Sequence, residues 1–92
     1  MRESQIEAHL TQRVKALGGL CWKFTSPNLR GVPDRVLLMP EGQTYWIELK
    51  APGQQLSILQ QRRHAEMRAR NHRILMLDSI EAVDYFLEAI CP

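Results

Sequence analysis

The chain reads as a small α/β domain, a mixed sheet flanked by helices, in the order α-β-β-β-α-β-α. Three observations predict it. Two apolar stripes at helical spacing bracket the sequence: Ile6, Leu10, Val14 and Leu17 near the start, and Ile80, Val83, Leu87 and Ile90 near the end. Two short apolar runs, Arg35–Met39 and Thr44–Leu49, are joined by the turn formers Pro40-Glu41-Gly42-Gln43 and so form a hairpin. A third run, Ile74–Leu77, follows a helical segment, and a strand reached by a helical crossover can pair in parallel with an earlier one. Helices of moderate length beside a few short strands imply a layered α/β arrangement.

Each element has a local reason. The first helix starts at Ser4, where Ser4-x-x-Glu7 fits a capping box, and Gly18-Gly19 stops it. Leu20–Phe24 is a short strand. Thr25–Pro33, with Ser26-Pro27-Asn28 and Gly31-Val32-Pro33, is a loop rich in turn formers. After the hairpin, Ala51-Pro52-Gly53 breaks the strand. Ser57 caps a second helix that runs to about Arg70, with Gln60 at the capping-box position and few large apolar residues beyond Ile58, Leu59 and Met67. Asp78 or Ser79 caps the last helix.

Length and composition bound the function. Ninety-two residues make one domain, 1–92, with a thin core that a partner could supplement. Hydrophobic content of 45% and charged content of 24% are those of a soluble globular protein. Two cysteines, Cys21 and Cys91, make no disulfide framework and suit a reduced intracellular protein. The polar N-terminus carries no signal peptide, and no apolar run is long enough to span a bilayer, so the expected location is cytoplasmic and away from membranes. A net charge of +2 says little about partners. Its distribution says more: Arg62, Arg63, Arg68, Arg70 and Arg73 crowd one stretch opposed only by Glu66, either a phosphate-binding surface or a solvated helix face.

The chemistry concentrates in P-D-x13-E-x-K, formed by Pro33-Asp34 and Glu48-Leu49-Lys50. Side chains two apart on a strand share a face, so Glu48 and Lys50 emerge together and Leu49 points away. If the two runs pair, Asp34 joins them. Two carboxylates, with the Leu49 backbone carbonyl as a third oxygen, suit a hard cation such as Mg2+ or Mn2+, and such an ion activates water against a phosphate. Nearby carboxylates and phosphate favour the charged form of Lys50, which points to an electrostatic and orienting role rather than that of general base. Taken singly, Asp34 could be a turn residue, and Glu48 and Lys50 an edge-strand ion pair. The histidines and cysteines lack zinc-ligand spacing, and there is no nucleophile-elbow serine or glycine-rich phosphate loop.

These residues carry a resemblance. Gly31-Val32-Pro33-Asp34-Arg35, Ile47-Glu48-Leu49-Lys50-Ala51-Pro52-Gly53, Leu56-Ser57 leading to Gln60, and Glu7 in the first helix are similar to the VRR-NUC (virus-type replication-repair nuclease) domain of the PD-(D/E)xK nuclease superfamily, over nearly the whole chain. The chain most resembles the compact, stand-alone, phage-associated members. The resemblance implies a restriction-endonuclease-like core. It implies Asp34, Glu48 and Glu7 as metal-binding acids, with Glu3 as a weaker stand-in, and Lys50 and Gln60 as catalytic residues. Gln60 matches the glutamine of the family's Q-x3-H-like motif and His64 falls at its i+4 position, so one helical face presents both. Glu7 and Gln60 each have a capping role as the alternative, and His64 is read as a surface histidine in preference to a catalytic one. Lys23, Ser26 and Arg30 could touch the substrate strand near Asp34, and Arg62, Arg63, Arg68 and Arg70 its phosphates.

The function expected from this resemblance is a Mg2+- or Mn2+-dependent, structure-selective DNA endonuclease, similar to Holliday-junction resolvases, which leaves a 5′-phosphate and a 3′-hydroxyl. The implied partners are branched or four-way-junction DNA and a second copy of the chain, in a homodimer built on the last helix (Tyr85, Phe86, Ile90) or on the Trp22 and Trp46 strand surface. The alternatives are a non-catalytic DNA-binding or assembly module of the same fold, a flap nuclease and a restriction-type nuclease.

Overall fold

A computed structural model describes residues 1–91; Pro92, the last residue of the expected domain, lies outside the described residues. The elements are α1 (Glu3–Ala16), β1 (Leu20–Lys23), β2 (Arg35–Leu38), a single 3-10 turn (Pro40–Gly42), β3 (Thr44–Leu49), α2 (Ile58–Arg68), β4 (Ile74–Leu77) and α3 (Ile80–Ile90). The expected order is the observed one. The four strands form one sheet in the order β1-β2-β3-β4, antiparallel except for the parallel β3–β4 pair.

Several boundaries differ from the sequence reading, each for a local reason. α1 begins one residue before Ser4. Arg2 is its extended cap, and the Arg2 N–H donates to Gln5 Oε1 at 2.7 Å, so the expected Ser4–Glu7 box does not form. The Pro40–Gln43 turn tightens because Glu41 and Gly42 both take positive φ, 68° and 77°, and the Met39 N–H closes it by donating to the Gln43 carbonyl at 2.8 Å. α2 ends at Arg68, short of Arg70. Asn71 turns left-handed (φ 66°) and the His72 N–H donates back to the Met67 carbonyl at 3.1 Å. The capping box of Ser57 and Gln60 forms as read, and Ser79, not Asp78, caps α3.

The sheet has two unlike faces. Odd-numbered residues of β2 and β3 face α1 and α3. Leu37, Tyr45, Ile47 and Leu49 pack there with Ile6, Leu10, Val14, Leu77, Val83, Phe86 and Leu87, and Tyr45 meets Phe86 edge-on at 5.2 Å. Each such burial contributes about 1.5–3 kcal/mol, so this layer holds the fold. Even-numbered residues face the side where α2 packs against β4. There Trp22, Val36, Trp46 and Ile74 stand in one cross-strand row, and Leu20 and Trp22 on β1 remain 49% and 54% exposed. Of the two aromatic patches expected to be free for a partner, α3 therefore contributes only Tyr85, since Phe86 belongs to the core.

Candidate active site

Register brings the two carboxylates together. Arg35 pairs with Ile47 across β2 and β3, so one step further Asp34 stands opposite Glu48. The ladder continues at that end, because the Phe24 N–H donates to the Asp34 carbonyl at 2.8 Å. The approach to Asp34 is fixed by the preceding loop. Gly31 has φ +85°, and a Cβ there would lie 2.9 Å from the Leu59 carbonyl, so this glycine lets the loop lie directly on α2. Pro33 is fully buried and leads into β2. Lys50 follows Glu48 on the same face of β3, its N–H donating to the Leu77 carbonyl at 3.1 Å. β3 is an interior strand and Glu48 is only 4% exposed, so Glu48 and Lys50 are not an edge-strand ion pair.

The electrostatics are those of two acids confined together. Burial pushes Glu48 up to about 7, the neighbouring Asp34 charge adds to the rise, and Lys50 opposes it. Asp34 is also raised, first by burial, with a hydrogen bond from the Leu49 backbone pulling the other way. Asp34 Oδ1 and Glu48 Oε1 are buried without a hydrogen-bond partner among the described residues. Buried acceptors left in this state are costly, and they point to a cation as the missing partner. Among the described residues no three His, Cys, Asp or Glu side chains converge as a metal cage. An ion of the Mg2+ type takes one or two carboxylates and keeps several waters, so the pair fits it.

The other expected site residues distribute unevenly. Glu7 is held by Arg35 in a 2.7 Å ion pair, and the α1 carboxylate whose charge acts on both Asp34 and Glu48 is Glu3. The side chain of Leu49 is in the core, and its backbone lies between Glu48 and Lys50. Gln60 uses its side-chain oxygen on the cap of α2, Oε1 accepting the Ser57 N–H at 2.9 Å. Lys23 and Arg30 are exposed and Ser26 is half-buried near the Asp34 end of the sheet.

The arginine cluster is largely occupied within the chain. Arg63 donates to the Arg30 carbonyl at 3.0 Å and pairs with Glu66 at 3.2 Å. Arg68 donates to the Ile74 carbonyl and Arg70 to the Glu66 carbonyl, each at 2.9 Å. Arg62 is exposed. Arg73 covers the Tyr45 ring, 4.7 Å from its centroid.

His64 is the correction. It is no surface residue: it is fully buried, the one buried residue of α2, with Nε2 3.8 Å from Glu48 Oε1. Burial, followed by the positive charges of Arg68 and Lys50, lowers its pKa. The sequence did hold a signal. Gln60, Arg63, His64 and Met67 are spaced as one helical stripe, and in a helix this poor in apolar residues that stripe marks the inner face.

Two comparisons bear on this site. Over 79 residues the chain is 44% identical to a protein of Acyrthosiphon pisum secondary endosymbiont phage 1 named "Putative nuclease p44", covering 86% of this chain and 85% of that protein. The structure superposes on a solved VRR_NUC domain with a TM-score of 0.89 at 28% identity, over 94% of each chain. The chain belongs to the VRR-NUC family. No family model matches it. The VRR-NUC assignment agrees with the observed element order and with the mixed sheet on which Asp34, Glu48 and Lys50 sit. Among the described residues no helix is long and apolar enough to cross a membrane.

Proposed function

We propose that this VRR-NUC protein is a Mg2+- or Mn2+-dependent DNA endonuclease that selects branched substrates, in the manner of a Holliday-junction resolvase. The observation that carries the reading is the opposed pair Asp34 and Glu48, each with a buried oxygen that has no hydrogen-bond partner among the described residues, beside Lys50. A module that merely bound DNA would gain nothing from setting two carboxylates against phosphates, so the non-catalytic alternative is disfavoured.

Asp34 and Glu48 would hold the cation, with the Leu49 carbonyl as a further oxygen and Glu3 or Glu7 reaching in from α1. When bound, the ion neutralises charge on the scissile phosphate and makes a water more acidic. The chain's own residues do the rest. Lys50, as an ammonium, orients the phosphate and stabilises the charge that develops on it. The β2–β3 ladder keeps Asp34, Glu48 and Lys50 at fixed separation, so little reorganisation is needed at the reacting centre. The attacking water bonds to phosphorus as the P–O3′ bond breaks, giving a 5′-phosphate and a 3′-hydroxyl. Lys23, Ser26 and Arg30, at the Asp34 end of the sheet, and Arg62 on α2 would contact the backbone of the substrate. Arg63, Arg68 and Arg70 would contribute through whatever donors remain after their internal bonds.

Paired cuts on a four-way junction need two sites, and a C2 dimer supplies them at fixed separation. The exposed Leu20 and Trp22 of β1 favour that face over α3. Cleavage of a four-way junction, a flap and a plain duplex, each with Mg2+ and with chelator, tests the activity. Preferred cutting of the junction, dependent on Mg2+, is expected. Equal cutting of the plain duplex would remove the structure selectivity. Light scattering at micromolar concentration is expected to give twice the chain mass, and a one-chain mass during active cutting would refute the dimer.

A further inference from the structure

α2 sends one side chain into the interior, and it is a histidine. His64 is 0% exposed, and neither Nδ1 nor Nε2 has a hydrogen-bond partner among the described residues. A core histidine ordinarily satisfies at least one ring nitrogen, because a buried polar group left unpaired is destabilising. The nearest opposite number is Glu48 Oε1 at 3.8 Å, itself buried and unpartnered. A donor without an acceptor and an acceptor without a donor thus face each other across the α2–sheet interface. The distance exceeds hydrogen-bond length, as contacts in unliganded active sites often do before they tighten. We propose that His64 is a positioning residue for Glu48, its Nε2–H holding Oε1 and so fixing the rotation of the carboxylate opposite Asp34.

This rests on the metal-site reading of Asp34 and Glu48. A carboxylate has about four lone-pair sites, so one bond to His64 leaves Glu48 free to share a cation with Asp34. The charged imidazole and one of its neutral tautomers both carry a proton on Nε2, so the contact does not depend on titration of the ring. Groups that orient a metal ligand from behind set its affinity for the ion, typically by ~10–100-fold. α2 would then have a second purpose beyond covering part of the sheet. Its cap at Ser57 and its seat against the Gly31 loop place His64 on the carboxylate.

The test uses the full chain and Mn2+ alone, without DNA. Calorimetric titration is expected to show His64→Leu binding Mn2+ ~10–100-fold more weakly than wild type, and His64→Gln, which keeps an N–H donor, recovering most of the loss. Asp34→Asn serves as the reference for the metal reading: its failure to weaken Mn2+ binding would defeat that reading, independently of His64. A His64→Leu affinity within about twofold of wild type, with Asp34→Asn impaired, would overturn the His64 proposal alone. Ring 15N spectra of the metal-free protein decide the case should His64→Leu not fold. The Nε2–H form is expected in wild type, with its resonances displaced in Glu48→Gln. A ring protonated only at Nδ1, or one indifferent to Glu48→Gln, would overturn the proposal.

Discussion

The two faces of the sheet obey different rules. The face under α1 and α3 is apolar and filled, with Ile6, Leu10, Leu37, Ile47 and Leu87 all fully buried. The face under α2 buries Glu48 and His64, leaves four polar atoms without partners among the described residues, and keeps Trp22 half in solvent. The same strands serve both, since alternate residues of β3 supply Tyr45, Ile47 and Leu49 to one side and Glu48, with Lys50 just past the strand end, to the other. Packing and the proposed chemistry are therefore separated by side-chain parity, and damage to one face should leave the other measurable.

The sharpest way to break that comparison is on the α2 face. Asp34→Asn or Lys50→Ala should lower cleavage by ~10²–10³-fold or more, while the circular dichroism spectrum and DNA binding are largely kept. Wild-type rates in either purified variant would remove those residues from the chemistry. On the opposite face, Leu37→Ala should cost about 2–5 kcal/mol of unfolding free energy, with the surviving folded fraction cutting normally. Denaturant melts read the first effect, and single-turnover rates corrected for folded protein read the second.

A pH series sharpens the contrast. Glu48 is raised from its ordinary value of 4.5 to about 7 in the folded chain. The folded state thus holds a proton that the unfolded state has released. The stabilisation from this group is complete below pH 4.5 and is lost as pH rises through about 7. In chelator, the thermal midpoint of the wild type should fall across that interval, and Glu48→Gln should flatten the fall. A parallel decline in both proteins would show that Glu48 is not its source.

Much of this was legible in the sequence because it is local. The P-D-x13-E-x-K spacing and the Pro40–Gln43 turn together fix the register that sets Asp34 opposite Glu48. The Ser57–Gln60 cap depends on residues three apart, and it forms as read. What was not legible depends on how the elements pack. Ser4 and Glu7 have capping-box spacing, but the helix starts earlier and Arg35 takes Glu7 instead. The arginines of α2 look free in the sequence. Their carbonyl acceptors, such as that of Arg30 for Arg63, are brought near only when the helix docks. The burial of His64 is hidden for the same reason, since the orientation of a polar helix is decided by what it packs on.

The smallest expected effect concerns Arg62. If it contacts phosphate, Arg62→Ala should weaken binding alike on all DNA sequences and reduce the salt dependence by about one unit of slope. An unchanged slope would leave it a solvated residue.

The central claim is that the α2 face holds a divalent cation between Asp34 and Glu48. Calorimetric titration of Mn2+ into the metal-free wild type, Asp34→Asn and Glu48→Gln tests it most directly. Saturable binding is expected in the wild type and is lost or greatly weakened in both variants, with each variant still folded. Indistinguishable isotherms for the three proteins would contradict it.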